Sequence, residues 1–199
     1  MAMPFDDATD TPDDALMVLY ASGDPGAARV LAARHVPRVM GFAARMLGGD
    51  RAEAEDVAQE AMLRLWRVAP DWRPGEARVS TWLYRVVANL CTDRLRGRVR
   101  RRAVTLDDAP DVADGAPGVV AGMVARDRKA ALYATLDLLP DRQRQAVVLR
   151  HLEGLTNPEI ALVMDIGVEA VESLTARGKR ALAAALAGRQ EDLGYEDGT

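Results

Sequence analysis

At 199 residues, with 49% hydrophobic residues and a mean hydropathy of −0.12, the chain holds enough apolar material for one or two compact domains. A single cysteine, Cys91, excludes an internal disulfide and fits a reducing cytoplasm. The longest apolar run, Ala181 to Ala187, is too short to cross a bilayer, and the acidic start lacks the basic residues of a signal peptide, so membrane insertion and export are not expected.

Residues 1–12 are acidic and without period and read as a tail. A short helix is predicted over Asp13–Ala21, broken by Ser22-Gly23-Asp24-Pro25, which also opens a second helix reaching about Leu47. The second helix turns Val30, Leu31, Val36, Val39, Met40, Ala43 and Leu47 toward a common core, with His35 at its surface or edge. His35 and His151 are the only histidines, and neither has a close ligand spacing, so no metal is expected. Gly48-Gly49-Asp50 ends that helix and starts a third, Arg51 to Val68. Its inner face carries Val57, Ala61, Leu65 and Val68; its outer face carries Glu53, Glu55, Asp56, Gln59 and Glu60. Asp56, Ala58 and Leu63 follow Glu53, Glu55 and Glu60 by three, so the Glu-x-x-His pattern of a di-metal bundle is missing. An acidic face beside exposed Leu63 and Trp66 reads as a protein-docking surface, against the plainer reading of a solvated helix.

Charge is distributed unevenly. Residues 64–102 hold eleven arginines against three acids, with all three tryptophans, while the flanking segments are each net acidic. A Pro/Gly-broken loop from Pro70 to Ala77 offers Trp72 and Arg73. The helix that follows, about Arg78 to Val99, gathers Val79, Leu83, Val86, Val87 and Leu90 on one side. Thr81, Arg85, Asn89, Thr92 and Arg96 fall on the other, and the run ends in Arg94, Arg96, Arg98, Arg100, Arg101 and Arg102. Arginines for phosphates, Asn and Thr for base edges and aromatics for an unstacked base are what opened DNA requires. A solvated basic helix end with core tryptophans would share the pattern, and Cys91 beside Leu90 reads as a small buried residue. The acidic flanks oppose long-range attraction to DNA, so a partner is expected to help.

The segment 103–125, rich in Asp, Pro, Gly and Ala, reads as an interdomain linker. Periodicity resumes over Arg126–Leu138, and a helix entered at Pro140 runs to about Leu152, with His151 favouring its end and Gly154 stopping it. Thr156 and Glu159 form a capping box for a short helix, Asn157–Met164. Asp165-Ile166-Gly167 makes a turn, and a longer helix runs from Val168 through Arg177, Lys179 and Arg180 toward Ala187. That order is the pattern of a helix-turn-helix, whose second helix enters the major groove; a plain helical hairpin is the alternative. Residues 189–199 read as a second tail.

Two segments carry a family resemblance. Glu55–Arg67 (EDVAQEAMLRLWR) followed by Thr81–Arg96 (TWLYRVVANLCTDRLR) resembles regions 2.2 to 2.4 of the sigma-70 superfamily in its extracytoplasmic-function branch. Leu139–Leu182 resembles region 4 of the same branch, so the likeness spans most of the chain, and its subgroup looks like the alphaproteobacterial sigma-E type. The resemblance implies an all-α fold of two small helical domains: region 2 over 13–102 and region 4 over 126–188. It implies an alternative sigma factor for a stress response, a cytoplasmic initiation factor with no catalytic residues and no cofactor. Its partners would be core RNA polymerase, through the beta-prime clamp helices and the beta flap, together with promoter DNA and an anti-sigma factor. Any zinc would belong to a zinc-binding anti-sigma partner.

Carried over by position, Asp56, Gln59, Glu60, Leu63 and Trp66 would dock on the clamp helices. Trp72 and Asn89 would hold a flipped −10 base, Arg85 and Arg96 would contact the backbone, and Arg73 and Thr81 complete the −10 set, with Trp82 supporting the core. The −35 set would be Thr156, Glu169, Glu172, Ser173, Arg177, Lys179 and Arg180. Here the chain departs from the family: Val171-Glu172-Ser173-Leu174-Thr175 stands where V-K-S-R-L is common, so phosphate affinity would rest on Arg177, Lys179 and Arg180. Glu172 can still accept from a cytosine amine. The rival reading is a free-standing dimeric helix-turn-helix regulator.

Overall fold

The computed structural model describes residues 10–104 and 130–192, and every regular element among them is helical. Helix α1 spans Asp13–Ala21, α2 Pro25–Met46, α3 Arg51–Val68 and α4 Val79–Val104, with a 3₁₀ turn at Ala69–Asp71 between α3 and α4. Helix α5 occupies 130–137. Helix α6, Asp141–Val147, widens into a π turn over Val148–Leu152; α7 covers Asn157–Met164 and α8 Val168–Asp192. Most of the linker expected at 103–125, the helix start expected at Arg126 and much of both tails lie outside the described residues. Helix α4 runs five residues past its predicted end at Val99, and α8 continues past Ala187.

The helix starts follow from local chemistry. The Asp24 carboxylate accepts the Gly26 amide at 2.7 Å with Pro25 in the first turn of α2, and Asp50 accepts the Glu53 amide at 3.0 Å to open α3. Thr156 and Glu159 close the expected capping box on α7. The turn to α8 places Asp165, at φ 53°, in the left-handed region. Gly178 lets α6 and α8 approach closely, since a Cβ there would lie 2.6 Å from Val147 Cγ2.

Helices α1 to α4 enclose Leu16, Met17, Leu31, Phe42, Leu65 and Leu83, and the ring of Phe42 meets Tyr84 edge-on at 5.4 Å. Helices α5 to α8 enclose Leu136, Leu149, Ile160 and Val171. The two groups join into one contiguous apolar cluster, because the second set of helices docks on the first. The docking is polar at its edges. Glu153, just past the π turn, accepts the Tyr84 hydroxyl at 2.6 Å and pairs with Arg45 at 2.5 Å. Arg144 donates to the Met46 carbonyl at the end of α2, at 3.0 Å, and pairs with Asp137 and Asp141. Arg78 pairs with Glu159 at 2.9 Å. The turn after α2 seats α5: Gly48 and Gly49, at φ 70° and 85°, face Asp137 and Tyr133 so closely that a Cβ would come within 2.8 and 2.6 Å of them.

Candidate nucleic-acid interface

On α4, Arg85, Asn89 and Arg96 are exposed at steps of four and seven residues, which brings them to one face. That face opens into a polar cleft of about 670 Å³, whose far wall is Arg142, Gln145, Met164 and Asp165 of the second domain. Thr92 lines the same cleft, but its hydroxyl donates to the Ala88 carbonyl of its own helix at 2.8 Å. Thr81 differs from the sequence expectation. It is only 8% exposed, because the N-terminal end of α7, with Thr156, Glu159 and Leu162, closes over its end of α4.

The arginine run is also divided. Arg98 turns inward to Asp50 and Glu53 at 2.9 and 2.7 Å, fastening α4 to the start of α3, and Arg94 lies 3.9 Å from Asp56. Arg98 serves the fold, whereas Arg85 and Arg96 stand in the cleft wall.

Trp72 is half-buried in the loop between α3 and α4. Its indole N–H donates to Asp14 of α1 at 2.9 Å, and its ring meets Trp82 edge-on at 6.3 Å. The Gly75 amide donates to the second oxygen of Asp14 at 3.1 Å. Arg73 is exposed and 3.4 Å from Glu76.

The docking set lies on α3. Gln59, Leu63 and Trp66 border an apolar groove of about 330 Å³. Its other wall, missed at the sequence level, is Ala32, Val36 and Met40 of α2. Val36 and Met40 were expected in the core, and their helical period is the same for a core face and a groove wall. Trp66 is half-buried against the Tyr20 ring at 4.7 Å. Glu60 pairs with Arg64 at 2.8 Å, and that hydrogen bond holds its carboxyl below the usual range, while Asp56 is exposed at the rim.

In the helix-turn-helix, Glu169, Glu172, Ser173, Arg177, Lys179 and Arg180 are all exposed along α8. Asn157 donates to Glu172 at 3.3 Å, and Arg177 to the Ser173 carbonyl at 3.3 Å. Leu174, where the family pattern has a basic residue, is half-buried and packs on the core. Thr156 stands apart from this set: its hydroxyl and amide are both given to Glu159, at 2.7 and 2.8 Å, near the contact between domains. Among the described residues there is no group of three His, Cys, Asp or Glu that could hold a metal ion, and no helix is long and apolar enough to cross a membrane.

Comparison with known proteins identifies a family for each of the two domains. The model of Sigma-70 region 2 matches residues 31–101, and that of Sigma-70 region 4 matches 129–182. The chain is 32% identical to the RNA polymerase sigma-H factor of Pseudomonas aeruginosa over 187 residues, covering 89% of this chain and 95% of that protein. It is 35% identical to the ECF RNA polymerase sigma factor SigE of Mycolicibacterium smegmatis, covering 90% of this chain and 68% of that protein. Among solved structures, CnrH in complex with the cytosolic domain of CnrY superposes with a TM-score of 0.67 at 29% identity, covering 88% of this chain and 97% of that one. With two helical domains in the region 2 and region 4 order, the chain belongs to the sigma-70 family, in its extracytoplasmic-function branch.

Proposed function

We propose that this chain is an alternative sigma factor that joins core RNA polymerase in the cytoplasm, recognises −35 and −10 promoter elements and promotes strand opening. It acts as a factor and not as an enzyme. Asp56, Gln59, Glu60, Leu63 and Trp66, with the α2 wall of the groove, take the beta-prime clamp helices, and the second domain takes the beta flap. Arg85 and Arg96 hold the backbone while Asn89 and the Trp72 loop, with Arg73, receive an extruded −10 base, and Thr81 joins them once α7 withdraws. Unstacking a base costs a few kcal/mol, which a preformed pocket offsets without ATP. Glu169, Glu172, Ser173, Arg177, Lys179 and Arg180 of α8 face the −35 element, and Thr156 caps the helix ahead of them.

The observation that carries this reading is the alignment of Arg85, Asn89 and Arg96 on one exposed face of α4. The same face looks across the cleft at Arg142 and Asp165, so a DNA strand reaches Asn89 when the two domains separate. An anti-sigma factor that stabilises the docked arrangement would keep the chain inactive under unstressed conditions. The solved complex of CnrH with CnrY supports a partner of that kind.

Run-off transcription with purified core polymerase on a randomised promoter library tests the proposal. Transcripts are expected only when chain and core are both present. Asn89→Ala should lower promoter opening at least tenfold with core co-elution retained, and Asp56→Arg with Glu60→Arg should abolish co-elution. Promoter binding as tight without core as with it would instead mark a dimeric regulator.

A further inference from the structure

Helix α1 precedes the segment matched by the region 2 model, which begins at residue 31, yet α1 is the element fastened to the base-reading loop. Its first two residues are both aspartates, and neighbours on a helix project about 100° apart. Asp13 turns to α2, accepting from Arg34 at 2.7 Å and from His35 Nε2 at 2.8 Å. Asp14 turns the other way. One of its oxygens accepts the Trp72 indole N–H at 2.9 Å and the other the Gly75 backbone N–H at 3.1 Å.

We infer that Asp14 is a positioning residue for −10 recognition: its carboxylate clamps the loop between α3 and α4 in the conformation that receives the base. The inference rests on the reading that this loop receives it. Within the loop the backbone bonds of Trp72 to Ala69, at 3.2 Å, and of Glu76 to Arg73, at 3.3 Å, are local, and neither ties the loop to the rest of the domain. Asp14 does so at two points three residues apart, one on a side chain and one on the backbone. Gly75 sits at φ 87°, a conformation that ordinary residues rarely adopt, so the clamp closes on the point where the chain reverses. Both bonds end on a charged acceptor and are correspondingly strong. A loop ordered before DNA arrives spends no binding energy on being ordered afterwards. With Asp13 fixing α1 to α2, the helix is a strut from the domain core to the loop.

The test compares holoenzymes carrying the wild-type chain, Asp14→Ala, Asp14→Asn and Trp72→Ala. The probes are two single-stranded −10 oligonucleotides, taken from a promoter selected by the wild-type holoenzyme and differing only at the extruded base. Asp14→Ala should lower the affinity ratio between the two probes about tenfold, the scale of one charge-assisted hydrogen bond. Core co-elution should be unchanged. Asp14→Asn, which keeps one acceptor oxygen and disturbs α1 least, should fall between and carries the test if the alanine variant loosens the helix. In the free protein, the Trp72 indole proton should exchange faster in both variants.

An unchanged ratio with unchanged indole exchange would overturn the positioning role, as would an equal loss for both probes. If Trp72→Ala removes the discrimination and Asp14→Ala does not, only the role of Asp14 falls. If Trp72→Ala leaves the discrimination intact, the loop does not read the base and both claims fall together.

Discussion

Replacing Glu153 with alanine removes the acceptor on which the docking of the two domains turns. The side chain is 7% exposed, and it accepts from Tyr84 at 2.6 Å and pairs with Arg45 at 2.5 Å. The Tyr84 phenol is held well above its ordinary range, first by burial and then by the Glu153 hydrogen bond and charge. Hydrogen bonds to a charged group contribute about 1.5–3 kcal/mol each, and deleting one partner strands the other. Arg45 keeps 27% of its side-chain exposure and can turn to water, so its share is discounted. The net loss is about 2–4 kcal/mol, which shifts the docked-to-separated ratio by a factor of roughly 30–1000. Energy transfer between dyes on cysteines introduced at Arg29 and Lys179, both exposed, reads the separation of the domains. Transfer should fall in Glu153→Ala and fall less in Glu153→Gln, which keeps an acceptor for Tyr84. Unchanged transfer in Glu153→Ala would show that the apolar contact of α4 with α7 holds the domains without this carboxylate.

Three further outcomes are expected. Gly178→Ala should lower the unfolding free energy measured in urea by about 1–3 kcal/mol of overpacking against Val147, less the helix propensity gained, and Val147→Ala should restore part of the loss. Burial pushes the Cys91 thiol up to about 12, so iodoacetamide at pH 8 should modify the native chain only as fast as it unfolds. The His35 hydrogen bond, with Arg34 and against the opposing effect of burial, lowers the Asp13 pKa below 3.8. That stabilisation is therefore complete at neutral pH and is lost as pH falls below about 4 through the folded value. Amide exchange in α1 should accelerate there, whereas Asp13→Asn should exchange fast at both pH values.

The helices were legible because their signals are local. Asp24, Asp50 and the Thr156–Glu159 box each fix a start within four residues, and the three- and four-residue spacing of apolar positions marks the buried side of α4. The polar partners across the fold were not legible, since a carboxylate such as Glu153 looks the same in sequence whether it meets water or a tyrosine 69 residues away. The same ambiguity hid Arg98 within the arginine run and Val36 and Met40 within an apolar stripe. Thr81 has the right period for an outward position, and only the approach of α7 from the second domain covers it. His35 was expected at the surface or core edge and is 4% exposed, because α1 folds back over it with Asp13 as its partner.

The apolar cluster that runs without a break from Phe42 to Leu149 makes the two halves thermodynamic neighbours. Loosening one strips apolar cover from the other, so a calorimeter should record a single cooperative peak where the sequence draws two units. A chain built this way answers to damage anywhere as a whole, and resolves into separate transitions only after the seam between its halves has been cut.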